Sequence, residues 1–187
     1  MAVTPANLAM GPGSLYVGLF GAPEPLDVQV NGTPAVSAWT DVGGTLGGLK
    51  LSVVNTFKEL EVDQLTETPE RRRTKKEVTL STQLAEVTFT NLILTLVGGT
   101  VTDGGASHES YEPDNSDSST APQYSSIIFD GVGGAGKRRR VFMRKCLSTE
   151  NVDVANSKED QTVYPVTFTT HYVSPSIRSW RVVNSKT

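Results

Sequence analysis

The amino-acid sequence predicts a mainly β domain, and three observations carry that reading. Val, Thr and Ile number 22, 22 and 4 among the 187 residues, and these β-branched side chains lose χ1 freedom in a helix but pack well on a pleated sheet. Apolar and polar residues alternate with a period of two in several runs, the spacing of strands with one buried face. Gly (17) and Pro (10) fall between those runs as turn punctuation. At 37% hydrophobic residues the chain can fill one core, so a single domain over residues 1–187 is expected.

Residues 1–49 contain no Lys or Arg and carry Glu24, Asp27 and Asp41. Residues 1–38 form a Gly/Pro-rich segment expected to provide extended arms, within which residues 14–20 read as a short strand. A second strand begins at residues 39–42. Asn31-Gly32-Thr33 has the form of a glycosylation sequon, but between Val28/Val30 and a Pro-containing stretch it reads as a turn that uses positive φ.

From residue 48 the alternation is clear: Leu49, Leu51, Val53 and Phe57 share one face, with Lys50, Ser52 and Val54 on the other. The phase then slips, because Leu60 and Val62 are apolar while Glu59, Glu61 and Asp63 are acidic, and a β-bulge near Lys58 would repair it. Residues 64–70 read as a loop. Arg71, Arg72, Arg73, Lys75 and Lys76 lead into a second alternating run, giving a long hairpin with an acidic outgoing arm and a basic returning arm.

One helix is expected within residues 84–97. Phe89, Leu92, Ile93, Leu96 and Val97 recur at helical spacing, Thr88 is placed to cap the start, and Gly98-Gly99 to supply a left-handed stop. Residues 102–123, acidic and almost free of apolar side chains, are expected to be an exposed loop that cannot offset its ordering entropy by burial. A second hairpin follows, residues 125–130 and 139–147 about a Gly-rich turn. Residues 163–173 then form a strong strand and residues 178–183 a short terminal one.

Several chemistries are weighed and set aside. Lys and Arg total 17 against 20 Asp and Glu, a net charge of −3, which argues against a protein that coats nucleic-acid phosphates. One cysteine, Cys146, cannot make an intramolecular disulfide, so synthesis inside the cell is the simpler expectation; it is read as a packed core residue. No signal peptide or membrane anchor is expected. Residues 131–137 match the start of the phosphate-binding G-x-x-x-x-G-K-[ST] loop, but Arg138 replaces the hydroxyl residue and a strand-like run follows in place of a helix, so a plain hairpin turn is expected. His108 and His171 lack metal-ligand spacing. No cofactor, metal or catalytic residue is therefore expected, and the chain reads as a non-enzyme. The candidate functional residues are the charged ones of the long hairpin, Glu59, Glu61, Asp63, Glu67, Arg71, Arg72, Arg73, Lys75 and Lys76. These and the second basic run, Lys137 to Arg140, read as a solvated face or a contact with acidic patches on a neighbouring copy, with a nucleic-acid contact disfavoured because no aromatic residues are interleaved.

From Trp39 onward the order of elements resembles the major tail tube proteins of long-tailed, siphovirus-like bacteriophages. The residues that carry it are Trp39-Thr40-Asp41-Val42-Gly43-Gly44, residues 49–57, Leu60-Glu61-Val62-Asp63-Gln64, a loop with Pro69, residues 76–82, and the run from Leu84 to Leu92 that opens the helix. The resemblance implies a β-sandwich or barrel-like domain with one flanking helix and long hairpins. It implies rings, hexameric in single-domain relatives, whose subunits lend strands to an inner β-barrel and stack into a tube that conducts DNA without binding it specifically. The candidate residues would then make contacts between subunits and rings. Implied partners are further copies of the chain, a tape-measure protein, a tail terminator and distal tail proteins. The implied location is the virion tail, assembled in the host cytoplasm. The alternatives are the tube of a contractile tail or injection system, and a monomeric β-sandwich binding module.

Overall fold

The computed structural model describes residues 4–114 and 122–186. Ten strands and one helix follow each other in the order β1 (Ser14–Leu19), β2 (Thr40–Asp41), β3 (Thr45–Leu60), β4 (Glu70–Leu84), α1 (Phe89–Leu96), β5 (Thr100–Asp103), β6 (Glu109–Glu112), β7 (Ser125–Val132), β8 (Arg138–Ser148), β9 (Tyr164–Thr170) and β10 (Trp180–Asn184). Eight of the strands make one antiparallel sheet, ordered β2-β1-β7-β8-β9-β4-β3, with β10 also paired to β8. The mainly β class, the single helix and the long hairpins are as the sequence predicts. Among the described residues the pairing path runs from β2 to β3 without closing.

Period-two alternation gives this sheet two apolar faces. Leu15, Ile127, Met143, Cys146 and Phe168 join one buried cluster, while Ile128 and Phe142, the chain neighbours of Ile127 and Met143, join Trp39 in a second. Adjacent strand residues point to opposite faces, so the clusters lie on opposite sides of the sheet. Helix α1 covers the first through Leu92 and Leu94. Residues 20–39 cross the second, held by Trp39 Nε1, which donates to the Pro23 carbonyl at 3.0 Å. The expected extended arm is in this stretch a strap folded on its own sheet. The Asn31-Gly32 turn is there, its Gly32 amide donating to Gln29 at 2.9 Å. Gly32 does not take the positive φ expected there, and the Asn31 side chain donates to Ser185 Oγ at 3.0 Å.

The helix starts where the sequence places it, with the Thr88 hydroxyl accepting from the Asn91 amide at 3.2 Å. Its end differs. Val97 itself is left-handed, at φ 60°, ahead of Gly98 and Gly99. Its buried face also differs, being built on Asn91 and Thr95. The Asn91 amide spans the carbonyls of Val42 (3.0 Å) and Glu86 (2.9 Å), and Thr95 Oγ1 returns to Leu92 (2.8 Å), so neither polar group is buried unpaired.

The described part of residues 102–123 up to residue 114 holds more structure than its composition predicts. Strands β5 and β6 pair as a separate two-stranded sheet, closed by a turn in which Asp103 Oδ1 accepts from the Gly105 amide at 2.7 Å. Tyr111 stacks on Phe89 at 6.3 Å and donates to the Gly98 carbonyl at 2.8 Å, which ties this hairpin to the end of α1. The rest of the expected acidic loop, residues 115–121, lies outside the described residues.

Candidate assembly surfaces

The β3–β4 hairpin leaves the body of the sheet. Strand β9 pairs with β4 only from Thr79 to Leu84, so beyond Val78 the two arms continue as a ribbon whose residues are nearly all exposed. Leu51 and Val53 pair with Leu80 and Val78, whose side chains are buried on the helix side of the sheet, and Phe57 pairs with Arg73 on that same face. Phe57 is 56% exposed.

The predicted bulge is present but displaced. Thr56 pairs with Lys75 and Phe57 with Arg73, so the extra residue is Thr74 on the returning arm. The outgoing arm therefore keeps its phase, and Glu59 shares the face of Phe57 while Leu60 falls opposite. A second shift lies at the base, where Gly47 and Gly48 are at φ 75° and 78° and Thr82 Oγ1 donates to the Gly48 carbonyl at 2.9 Å.

Of the nine candidate contact residues, Glu59 lies one residue before the end of the outgoing arm, Glu61, Asp63 and Glu67 lie in the connection, and Arg71, Arg72, Arg73, Lys75 and Lys76 line the returning arm. Some meet within the chain. Glu59 and Arg71 pair at 2.5 Å, Lys75 pairs with Glu77 at 2.5 Å, and Arg72 stands 4.0 Å from Glu70. Lys76 lies over the Trp180 ring at 5.3 Å. Lys58 and Arg72 face each other directly across the arms, and like charges in that position repel.

The second basic run, Lys137 to Arg140, is partly internal. Arg140 is 1% exposed and makes a two-pronged pair with buried Asp130, both contacts at 2.5 Å. It also donates to the strap carbonyls of Gly32 (2.6 Å) and Gln29 (3.3 Å). Arg138 holds the Asn31 carbonyl at 3.0 Å, Arg144 pairs with Glu24, and Arg181 reaches both Glu24 (3.1 Å) and Asp27 (2.8 Å). Thus four arginines of β8 and β10 bind the strap. The sequence signal that could have revealed it is the absence of cations from residues 1–49 beside an arginine-rich stretch elsewhere.

A cleft of about 510 Å³ opens on the helix side of the sheet, beside β1 and β2. Val17 and Leu19 of β1, Val36 of the strap, Ile93 of α1, Val97 just after it, and Phe168 line it. The apolar stripe expected to bury α1 is thus turned in part toward open space.

The remaining motifs take ordinary places in the fold. Residues 131–137 make the hairpin turn that the sequence predicts, a short turn at Gly134–Gly136 entering β8 instead of a helix, with the Gly133 amide donating to Lys137 at 2.7 Å. Burial pushes the Cys146 thiol far above its ordinary range, a backbone hydrogen bond at Lys145 offsetting little of it, so it carries no thiolate. His108 bonds Ser107 in the β5–β6 turn, and His171 packs on Tyr124 at 5.3 Å. Burial, then the neighbouring Lys145 ammonium, lowers the His171 pKa. Among the described residues no cluster of His, Cys, Asp or Glu could hold a metal ion.

A sheet with open edges and a projecting hairpin offers surfaces on which another chain can pair. The sequence model of a family described as phage tail tube protein matches residues 4–182. The chain belongs to the phage tail tube protein family. It is accordingly a structural component of the phage virion tail, a subunit that assembles with other tail components, from a family that is structural and not enzymatic. No curated protein matches the chain. No helix among the described residues of this tail tube protein is long and apolar enough to cross a membrane.

Proposed function

We propose that this tail tube protein forms hexameric rings that stack into the tube of a long, siphovirus-like tail and conduct DNA into the host. The observation that carries the reading is the unpartnered ribbon at the β3 edge of an open sheet. A long edge strand with exposed apolar side chains is a template for pairing with another chain, and a ring of such sheets removes every edge by closing into a barrel. The net charge of −3 suits a lumen that lets phosphates slide past, since a basic wall would bind them. The charged tip of the hairpin, from Glu59 to Lys76, then reaches the neighbouring ring. Assembly takes place in the host cytoplasm, with a tape-measure protein fixing length and terminator and distal tail proteins closing the two ends.

Negative-stain imaging with light scattering of the purified chain tests this. Rings or hollow tubes are expected as concentration rises. A 20.1 kDa monomer at all concentrations, also in the presence of distal tail proteins, would overturn it.

A further inference from the structure

We infer that the cleft beside β1 is the socket for the hairpin of the next copy, which seats Phe57 between α1 and the strap. The inference rests on the ring reading and names the surfaces that meet within it.

Two apolar surfaces lack a partner in one chain, and they stand on the same face of the sheet at opposite edges. One is the cleft, where Leu19 is 64% and Val36 88% exposed. The other is the strip Leu51, Val53 and Phe57, which register places on the face that buries Leu80 and Val78. The order β2-β1-β7-β8-β9-β4-β3 separates them by the full width of the sheet, so no chain can fill its own cleft with its own hairpin. A contact between unlike surfaces on two copies leaves one of each free again, and repetition closes a ring when the rotation allows. The cleft volume is within the ~300–1,000 Å³ of sites that enclose a ligand of many atoms, room for an aromatic side chain with its neighbours.

Charge is compatible with the same pairing. No cation occurs in residues 1–49, which supply β1, β2 and the strap around the cleft. Phe57 is flanked across the ribbon by Arg73, and Asn55 by Lys76. A cationic strip therefore meets a surface that offers it no like charge. The chain's own described N-terminal residues are not the occupant. Gly11 and Gly13 pack against Val132 and Phe129, near the end of β7 remote from Ser125, which lines the cleft; Ser125 to Val132 spans roughly 23 Å at ~3.3 Å per residue.

Val36→Cys combined with Phe57→Cys tests the contact in the full chain, since buried Cys146 leaves the parent protein without a reactive thiol. Mild oxidation of assembled protein should give a reducible ladder from dimer upward, which neither single variant gives. Leu19→Asp, at an exposed position, should raise the concentration needed for assembly at least tenfold while the thermal midpoint of the soluble subunit stays unchanged. Tubes that form without the ladder, or Leu19→Asp protein that assembles at the parental concentration, would overturn the inference and leave the tube reading standing. A ladder from Met10→Cys with Val36→Cys in place of Phe57→Cys would assign the cleft to a neighbour's N-terminal segment and equally overturn it. Failure of the parent chain to assemble at all removes the tube reading and this inference with it.

Discussion

Arg140 pairs across the β7–β8 ladder with Asp130, its register partner, and both are buried. A guanidinium satisfies several acceptors in one plane, and here it serves two carboxylate oxygens and two strap carbonyls. Removing one member of such a pair leaves an uncompensated charge, at about 3–5 kcal/mol. Arg140→Ala should therefore lower the urea unfolding free energy of the soluble subunit by about that amount. Lysine, one point charge on a flexible stem, should restore little of it. Arg140→Met with Asp130→Leu, which removes both charges, should recover most. A single Ala variant with a parental midpoint would show that the pair contributes nothing. In the sequence, Arg140 is one of four consecutive cations and nothing marks it as the buried one. What distinguishes it is a partner ten residues away in sequence, and that becomes visible only once the ladder sets the register.

At the scale of elements, what local chemistry decides was legible. Alternation located β3, β4, β7, β8 and β9, and Thr88 located the start of α1, because strand period and capping act between near neighbours in sequence. The hairpin bulge was read onto the wrong arm, since an extra residue on either strand restores register and only the pairing distinguishes them. The helix stripe was legible as apolar, but not that Asn91 and Thr95 would take the buried face, which depends on carbonyls supplied by Val42 and Glu86. The cleft was not legible at all, because β1, the strap and α1 meet only in the fold. Tyr111 was lost in an acidic stretch and anchors β6 to Gly98 from there. At the helix end, Val97 holds a left-handed conformation that costs an L residue about 1–2 kcal/mol, although Gly98 follows. Val97→Gly should relieve that strain and stabilise the soluble subunit by roughly 1 kcal/mol in a urea titration. It also removes a cleft side chain, so assembly should weaken while the subunit gains. A variant that loses stability would show that Val97 packing outweighs its backbone strain.

Over the whole molecule, charge is segregated by sheet edge: an acid-only N-terminal portion at β1 and β2, and five cations on the returning arm of the hairpin. The hairpin also uses charge internally, through Glu59–Arg71 and Lys75–Glu77. Lys58 opposite Arg72 is the exception, a repulsive pair held on an exposed ribbon. Carboxylates arriving from another ring would relieve it, and Glu61, Asp63 and Glu67 in the hairpin connection make no ion pair among the described residues. Each exposed contact contributes only about 0–1 kcal/mol, but in the proposed ring repetition would sum them into one cooperative interface. Arg71→Glu with Arg72→Glu should consequently slow tube elongation far more than it affects ring formation or the thermal midpoint. Added salt, which shortens the screening length to ~10 Å at 0.1 M, should slow the parent and have less effect on the variant. Light scattering of growing tubes across a salt series measures both. If the double variant elongates at the parental rate with parental salt dependence, the charged hairpin is a solvated face, and ring stacking must rest on apolar contacts alone.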